Sequence, residues 1–255
     1  AYFTRFSTSE FAIRPFILKH PEKTMAQMLT WSKDENHHIR RLASEGCRPR
    51  LPWGMALKNF KEDPSPILPV LENLKADDSE YVRKSVANNL NDISKDNPET
   101  VLKIAKLWLG KNQKTNWIVK HACRTLLKKG DQAALALFGL NQTKGISINN
   151  LALSRREIKI GETLEFSFDI DNQNKKPVII RLEYGIDYVK ANGNQSRKLF
   201  KISETTIAAN TTTTYSRRQS FKNLSTRKHH PGVHGLAIVV NGKEMAKTDF
   251  RLLGE

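Results

Sequence analysis

The chain has 255 residues, 38% hydrophobic and 27% charged, enough for one large or two ordinary cored domains and unlike a disordered tail. Its 42 Lys and Arg against 26 Asp and Glu leave +16, split as +9 up to Gly145 and +7 beyond it, so both halves suit a polyanion, with nucleic acid the leading candidate. Two distant cysteines in helical patterns, the lack of an apolar run of ~18 residues and the lack of a secretory N-terminus point to a reducing, cytosolic location without membrane function.

The chain opens on Ala1 rather than methionine, which suggests a processed product or a fragment. Ser7-Thr8-Ser9-Glu10 has capping-box spacing ahead of Phe11, Ile13, Phe16, Ile17 and Leu18, the apolar face of a helix that must accommodate Pro15. Glu10 either closes that cap or serves a site.

From Lys23 amphipathic segments come in pairs. Asp34 to Arg41, Asp77 to Lys84 and Lys114 to His121 repeat one phrase, and superposing Ile39, Val82 and Val119 gives a spacing near the ~40–47 residues of two-helix HEAT-type repeats. Partner helices are expected from Ile67 to Leu74 and from Val101 to Leu109. The second helices carry Arg40, Arg41, Arg83, Lys84, Lys120, Arg124 and Lys128, which would make an inner face basic.

Two helix ends stand out. One closes at Gly46 with Glu45 in its last turn, and the rigid loop Arg48-Pro49-Arg50-Leu51-Pro52 then sets Trp53 beyond it. The other closes after Asn88-Asn89-Leu90-Asn91-Asp92. A helix C-terminus disfavours negative charge, so Glu45 and Asp92 are expected to face a cation. Plainer readings stand beside this: an Arg41–Glu45 surface pair, helix termination by Asn88 and Asp92, and Trp53 as packing. Trp31, Trp108 and Trp117 fall in helical phase and are expected in the core. His37-His38 and His229-His230 lack recurring acidic or cysteine partners at ligand spacing, so no metal is expected.

Asp131 to Leu140 is expected as a last helix and 141–145 as a break. Beyond it the period falls to two. Strands are expected at Ser147 to Leu153, Thr163 to Asp169, Val178 to Tyr184, Lys198 to Ile202, Thr211 to Ser220, Leu236 to Val240 and Met245 to Leu252, with Asn241-Gly242 as a hairpin. The fold class is therefore multidomain, α then β: a HEAT-like α-solenoid over 1–142 followed by an immunoglobulin-like β-sandwich over 146–255, without the antibody-type cysteine pair.

Arg40-Arg41-Leu42-Ala43-Ser44-Glu45-Gly46, Arg48-Pro49-Arg50-Leu51-Pro52-Trp53 and Asn88 to Asp96 together resemble the AlkC group of bacterial DNA-alkylation-repair glycosylases. The resemblance covers nearly the whole chain, since that group also follows HEAT-like helices with an Ig-like domain. It implies excision of cationic bases such as 3-methyladenine and 3-methylcytosine from double-stranded DNA by a monofunctional enzyme with no cofactor. It also implies that Asp92 is the catalytic aspartate, Trp53 the active-site tryptophan, and Glu10, Arg41 and Glu45 the polar residues around them. Further helices precede this segment in the family, so Ala1 would open a truncated chain. DNA contacts are expected from Arg41, Arg48, Arg50, Lys84, Lys120, Arg124 and Lys128, and from Arg217, Arg227 and Lys228 of the β domain, in a monomer. The alternative is a non-catalytic scaffold that binds nucleic acid or an acidic protein.

Overall fold

The computed structural model describes residues 1–225 and 228–254. Contacts divide the chain into two compact units, Ala1–Lys129 and Gly130–Glu255.

In the first unit a 3₁₀ turn, Tyr2–Arg5, precedes helices α1 (Arg14–Lys19), α2 (Pro21–Trp31), α3 (His37–Gly46), α4 (Lys58–Glu62), α5 (Leu68–Leu74), α6 (Glu80–Ile93), α7 (Pro98–Trp108), α8 (Gln113–Ala122) and α9 (Arg124–Lys129). The capping box at Ser7–Glu10 does not form. Instead α1 starts at Arg14, which puts Pro15 in the first turn, where its missing N–H costs no helical bond. Helices α3, α6 and α8 pack side by side, and α2, α5 and α7 lie against them.

The repeated phrase is a structural repeat. Ile39, Val82 and Val119 are all buried at equivalent places. Arg40 donates to the carbonyls of Asp34 and Glu35, and Arg83 does the same to those of Asp77 and Asp78. Arg40 also grips the Asp77 carboxylate through Nε and Nη2 at 2.6 and 2.9 Å, tying the first repeat to the second. These two arginines, expected on an open basic face, are thus committed to holding the turns that precede α3 and α6.

In the second unit α10 (Gln132–Leu137) precedes strands β1 (Ile146–Leu153), β2 (Glu157–Lys159), β3 (Thr163–Asn172), β4 (Val178–Val189), β5 (Gln195–Ile207), β6 (Thr211–Ser220), β7 (Gly232–Val240) and β8 (Lys243–Leu253). They form a three-stranded sheet β1-β3-β6 and a five-stranded sheet β2-β8-β7-β4-β5. The three-residue β2, which runs parallel to β8, was not legible from sequence. Alternate residues of β3 and β4, among them Phe166, Phe168, Ile170, Ile180, Leu182 and Ile186, fill one core with Phe221, Leu236, Ile238 and Phe250. Asn241 and Gly242 turn the last hairpin with φ of +49° and +75°. A side chain on Gly242 would sit 2.6 Å from the Cα of Gly130 and 3.1 Å from Leu135, so the segment carrying α10 packs on that hairpin. That contact explains why α10 groups with the strands, whereas the sequence reading placed it with the preceding helices.

Candidate functional site

Two helices deliver the acids. Asn36 caps α3, its Oδ1 accepting from the His38 N–H at 2.9 Å, and this sets the phase that puts Arg41 and Glu45 on one face, four residues apart. Helix α6 presents Asn88 and Asp92 with the same spacing. Asn89, fully buried, fastens the two helices by donating to the Ser44 carbonyl at 2.8 Å.

The loop after α3 is fixed by a residue that the sequence did not single out. Arg14 is among the most buried side chains of the protein, and donates to the carbonyls of Gly46 at 3.0 Å, Arg48 at 2.9 Å and Met55 at 2.8 Å. Burial lowers its pKa from the ordinary arginine value, yet its place over the C-terminal carbonyls of α3 is where a helix dipole favours a cation. Gly46 permits the approach. A Cβ there would lie 2.6 Å from Ile13 and 2.9 Å from Met28.

Five of the expected residues then meet in one ladder of alternating charge. Arg41 donates to both oxygens of Glu10 at 3.1 and 3.2 Å, and lies 3.6 Å from Glu45. Glu45 Oε1 accepts from Arg48 Nη1 at 2.7 Å, and its Oε2 accepts from Ser85 at 2.6 Å. Arg48 Nε donates to Asp92 Oδ2 at 2.8 Å, and Lys95 donates to Asp92 Oδ1 at 3.0 Å. The cation that both helix-terminal acids face is Arg48. Burial works against its charge, but Glu45 and Asp92 outweigh burial and the net direction of its pKa is upward. Glu10, Glu45, Arg48 and Asp92 are all buried.

This corrects one expectation. Arg48 was counted among the DNA-binding cations, whereas its guanidinium is directed inward onto two carboxylates. Arg41 is nearly as enclosed, with Tyr81 covering it at 4.7 Å from ring centroid to guanidinium carbon. Neither can reach a phosphate without breaking a buried ion pair. Of the two cations on Asp92, Lys95 has the more open side chain, 36% exposed against 8% for Arg48, so Oδ1 is reached from the lysine side. The neighbouring thiol of Cys47 is pushed by burial up to about 12, which removes it as a nucleophile.

Trp53 is not packed on the acids. It is fully exposed, on a left-handed backbone with φ of +60°, while Leu51 two residues earlier is buried. Arg124 is half-buried, its pKa lowered by burial, and donates to Asn88 Oδ1 at 3.0 Å and the His121 carbonyl at 2.8 Å. Arg50 pairs with Asp96 through two bonds of 2.8 and 2.6 Å, and Lys84 with Glu80 at 2.8 Å. Lys120 is half-buried and Lys128 exposed. Trp108 is buried as expected, but Trp117 is 39% exposed.

In the β unit Arg217 donates to the carbonyl of Ser216 and lies near the Tyr215 ring. Lys228 is exposed and lines a cavity of about 310 Å³ with Lys190, Lys198 and His230. Arg227 lies outside the described residues.

Residues 4–126 match the family model described as DNA alkylation repair enzyme, and residues 147–254 match that of the C-terminal Ig-like domain of the uncharacterised protein YhaZ. The uncharacterized protein YhaZ of Bacillus subtilis (strain 168) is 54% identical over 250 residues, which cover 98% of this chain and 70% of the relative. Among solved structures, Pseudomonas fluorescens alkylpurine DNA glycosylase AlkC, bound to DNA containing an abasic site analog, superposes with a TM-score of 0.96 at 42% identity. The match covers 99% of this chain and 70% of that one.

Proposed function

Since the chain belongs to the AlkC-type family of DNA alkylation repair enzymes, we propose that it is the DNA glycosylase its site is built to be, hydrolysing the bond between deoxyribose and a cationic N-alkylated base. The finer reading is release of 3-methyladenine and 3-methylcytosine from double-stranded DNA by a monomer in the cytosol, leaving an abasic site. The observation that carries it is the Asp92 carboxylate, buried at the end of α6 and fixed through Oδ2 by buried Arg48, with the more open Lys95 on Oδ1.

The chemistry follows from the charge of the lesion. A base alkylated on a ring nitrogen such as N3 is already positive and leaves as a neutral molecule, so no general acid is needed. What remains is to stabilise the oxocarbenium-like sugar and to direct a water onto its anomeric carbon, which a fixed carboxylate does by electrostatics and as a base. Arg48 keeps Asp92 oriented, and Glu45 and Arg41 keep Arg48 in place. Glu45 and Glu10 therefore act as positioning residues. Lys95 would swing from Asp92 to a phosphate as DNA arrives, uncovering Oδ1. Trp53, free of packing on its loop, would close over the lesion and favour the cationic base by about 0.5–2 kcal/mol. No lysine is expected to form a Schiff base, hence no strand cleavage. Arg50, Lys84, Lys120, Arg124, Lys128, Arg217, Arg227 and Lys228 remain proposed backbone contacts.

A non-catalytic scaffold draws on one observation, that Asp92 already has a partner on each oxygen. Chromatography of the bases freed from methylated duplex separates the two. The enzyme releases N3-methylated bases, and Asp92→Asn loses at least about 10²-fold in rate with its fold intact. Tight duplex binding with no base released by the wild type would decide for the scaffold.

A further inference from the structure

Helical phase placed Trp117 in the core, yet its indole stands on the surface of α8 stacked on His121 one turn later. The rings are 5.1 Å apart and 6° from parallel. The indole also borders a recess of about 330 Å³ between the first turns of α6 and α8, lined by Glu80, Arg83, Gln113 and Lys114. The indole is 39% exposed although its partner His121 is half-buried, so the arrangement leaves apolar surface of the indole open to a partner.

The charge around the pair selects that partner. Burial first, and then two cations, Arg124 on the following helix and Lys84 on α6, lower the imidazole pKa of His121 from its ordinary value. Lys84 has Glu80 at 2.8 Å, but Arg124 donates to two neutral oxygens. The imidazole N–H thus sits in a positive place, suited to an anion. Arg124 in turn holds Asn88, which shares a face of α6 with Asp92.

We propose that Trp117 and His121 form a second contact plate for duplex DNA, apart from the base that lies over Asp92, the indole packing on a deoxyribose and the imidazole donating to its phosphate. The sugar is the expected occupant because duplex bases are stacked on one another and offer no free face. The inference rests on the proposed function only in taking DNA as the partner. Its test therefore uses undamaged duplex and no base release.

Fluorescence anisotropy with the full chain at fixed salt gives the first readout. Trp117→Ala and His121→Ala each weaken duplex binding about fivefold or more, while Trp117→Phe retains most of the affinity. The second readout is the His121 ring in proton–nitrogen spectra, whose pKa rises when undamaged duplex binds, as a phosphate offsets Arg124 and Lys84. Thermal midpoints check that each variant is folded, and His121→Gln replaces His121→Ala if it is not. Unchanged affinity in the folded variants with no movement of the His121 pKa would overturn the proposal. So would a larger loss on single-stranded than on duplex DNA, which would make the plate a platform for unpaired bases. If the wild type released no base and Trp117→Ala still weakened duplex binding, the glycosylase reading would fall and this one would stand.

Discussion

At the scale of the residue, Arg48 decides whether the site exists. It is the only link between Glu45 on α3 and Asp92 on α6 in the ladder, and all three side chains are buried. Removing one partner of a buried pair leaves an uncompensated charge, which costs more than the pair itself contributes. Arg48→Met, which leaves Glu45 with Arg41 and Ser85 and Asp92 with Lys95 alone, should destabilise the protein in urea unfolding by up to about 3–5 kcal/mol. Asp92→Asn removes one charge and leaves Arg48 with Glu45, so its loss should be well below that. Equal midpoints for wild type and Arg48→Met would mean that the ladder holds nothing in place. The acids were legible in the sequence because Glu45 and Asp92 break a rule about helix ends. Arg14 was not, because a single arginine before a proline looks like any solvated cation until the carbonyls it collects are brought together by the fold. Trp117 was misplaced for a related reason, since periodicity assigns a side chain to a face and says nothing of how far the neighbouring helix extends over it.

At the scale of the element, the helices and long strands were legible because one face of each is buried and its period survives in the sequence. Their limits moved where local chemistry intervened. Glu10 left its expected cap for Arg41, and β4 and β5 run on past the predicted ends. That extension carries a charged cluster. Asp187 on β4 accepts from Arg197 on β5 at 2.7 and 2.9 Å and from Lys247 on β8 at 3.0 Å, and Arg197 above all holds its carboxyl down at about 2. An unfolded aspartate titrates near ~3.9. The stabilisation is therefore fully present above that value and is lost as pH falls through about 2. Far-UV circular dichroism during acid titration should show Asp187→Asn less stable than wild type at pH 7, with the gap closing between pH about 4 and about 2. A gap that held constant to pH 2 would remove the ion cluster as its cause.

At the scale of the whole molecule, 42 lysines and arginines overstate the cations that DNA would meet. Arg40, Arg41, Arg48, Arg181 and Arg197 are each bound to carboxylates within the fold, while Lys128 and Lys228 are exposed. Arginine's planar fork suits internal pairing, and the more strongly hydrated lysines remain outside as point charges. Nothing in the order of residues separates the two groups, because which cations find acids depends on contacts between repeats and between strands. Their consequences for binding differ. Each phosphate neutralised releases counterions, so the affinity for duplex should fall linearly with salt on logarithmic axes, by about 10³-fold or more between 50 and 200 mM if about six phosphates are met. Lys128→Gln should reduce that slope by about one, as expected of a cation that meets phosphate. Arg40→Gln should leave the slope unchanged while lowering stability, because its charge already belongs to Asp77. A slope that responded to Arg40 and not to Lys128 would place the DNA on another surface of the helical unit.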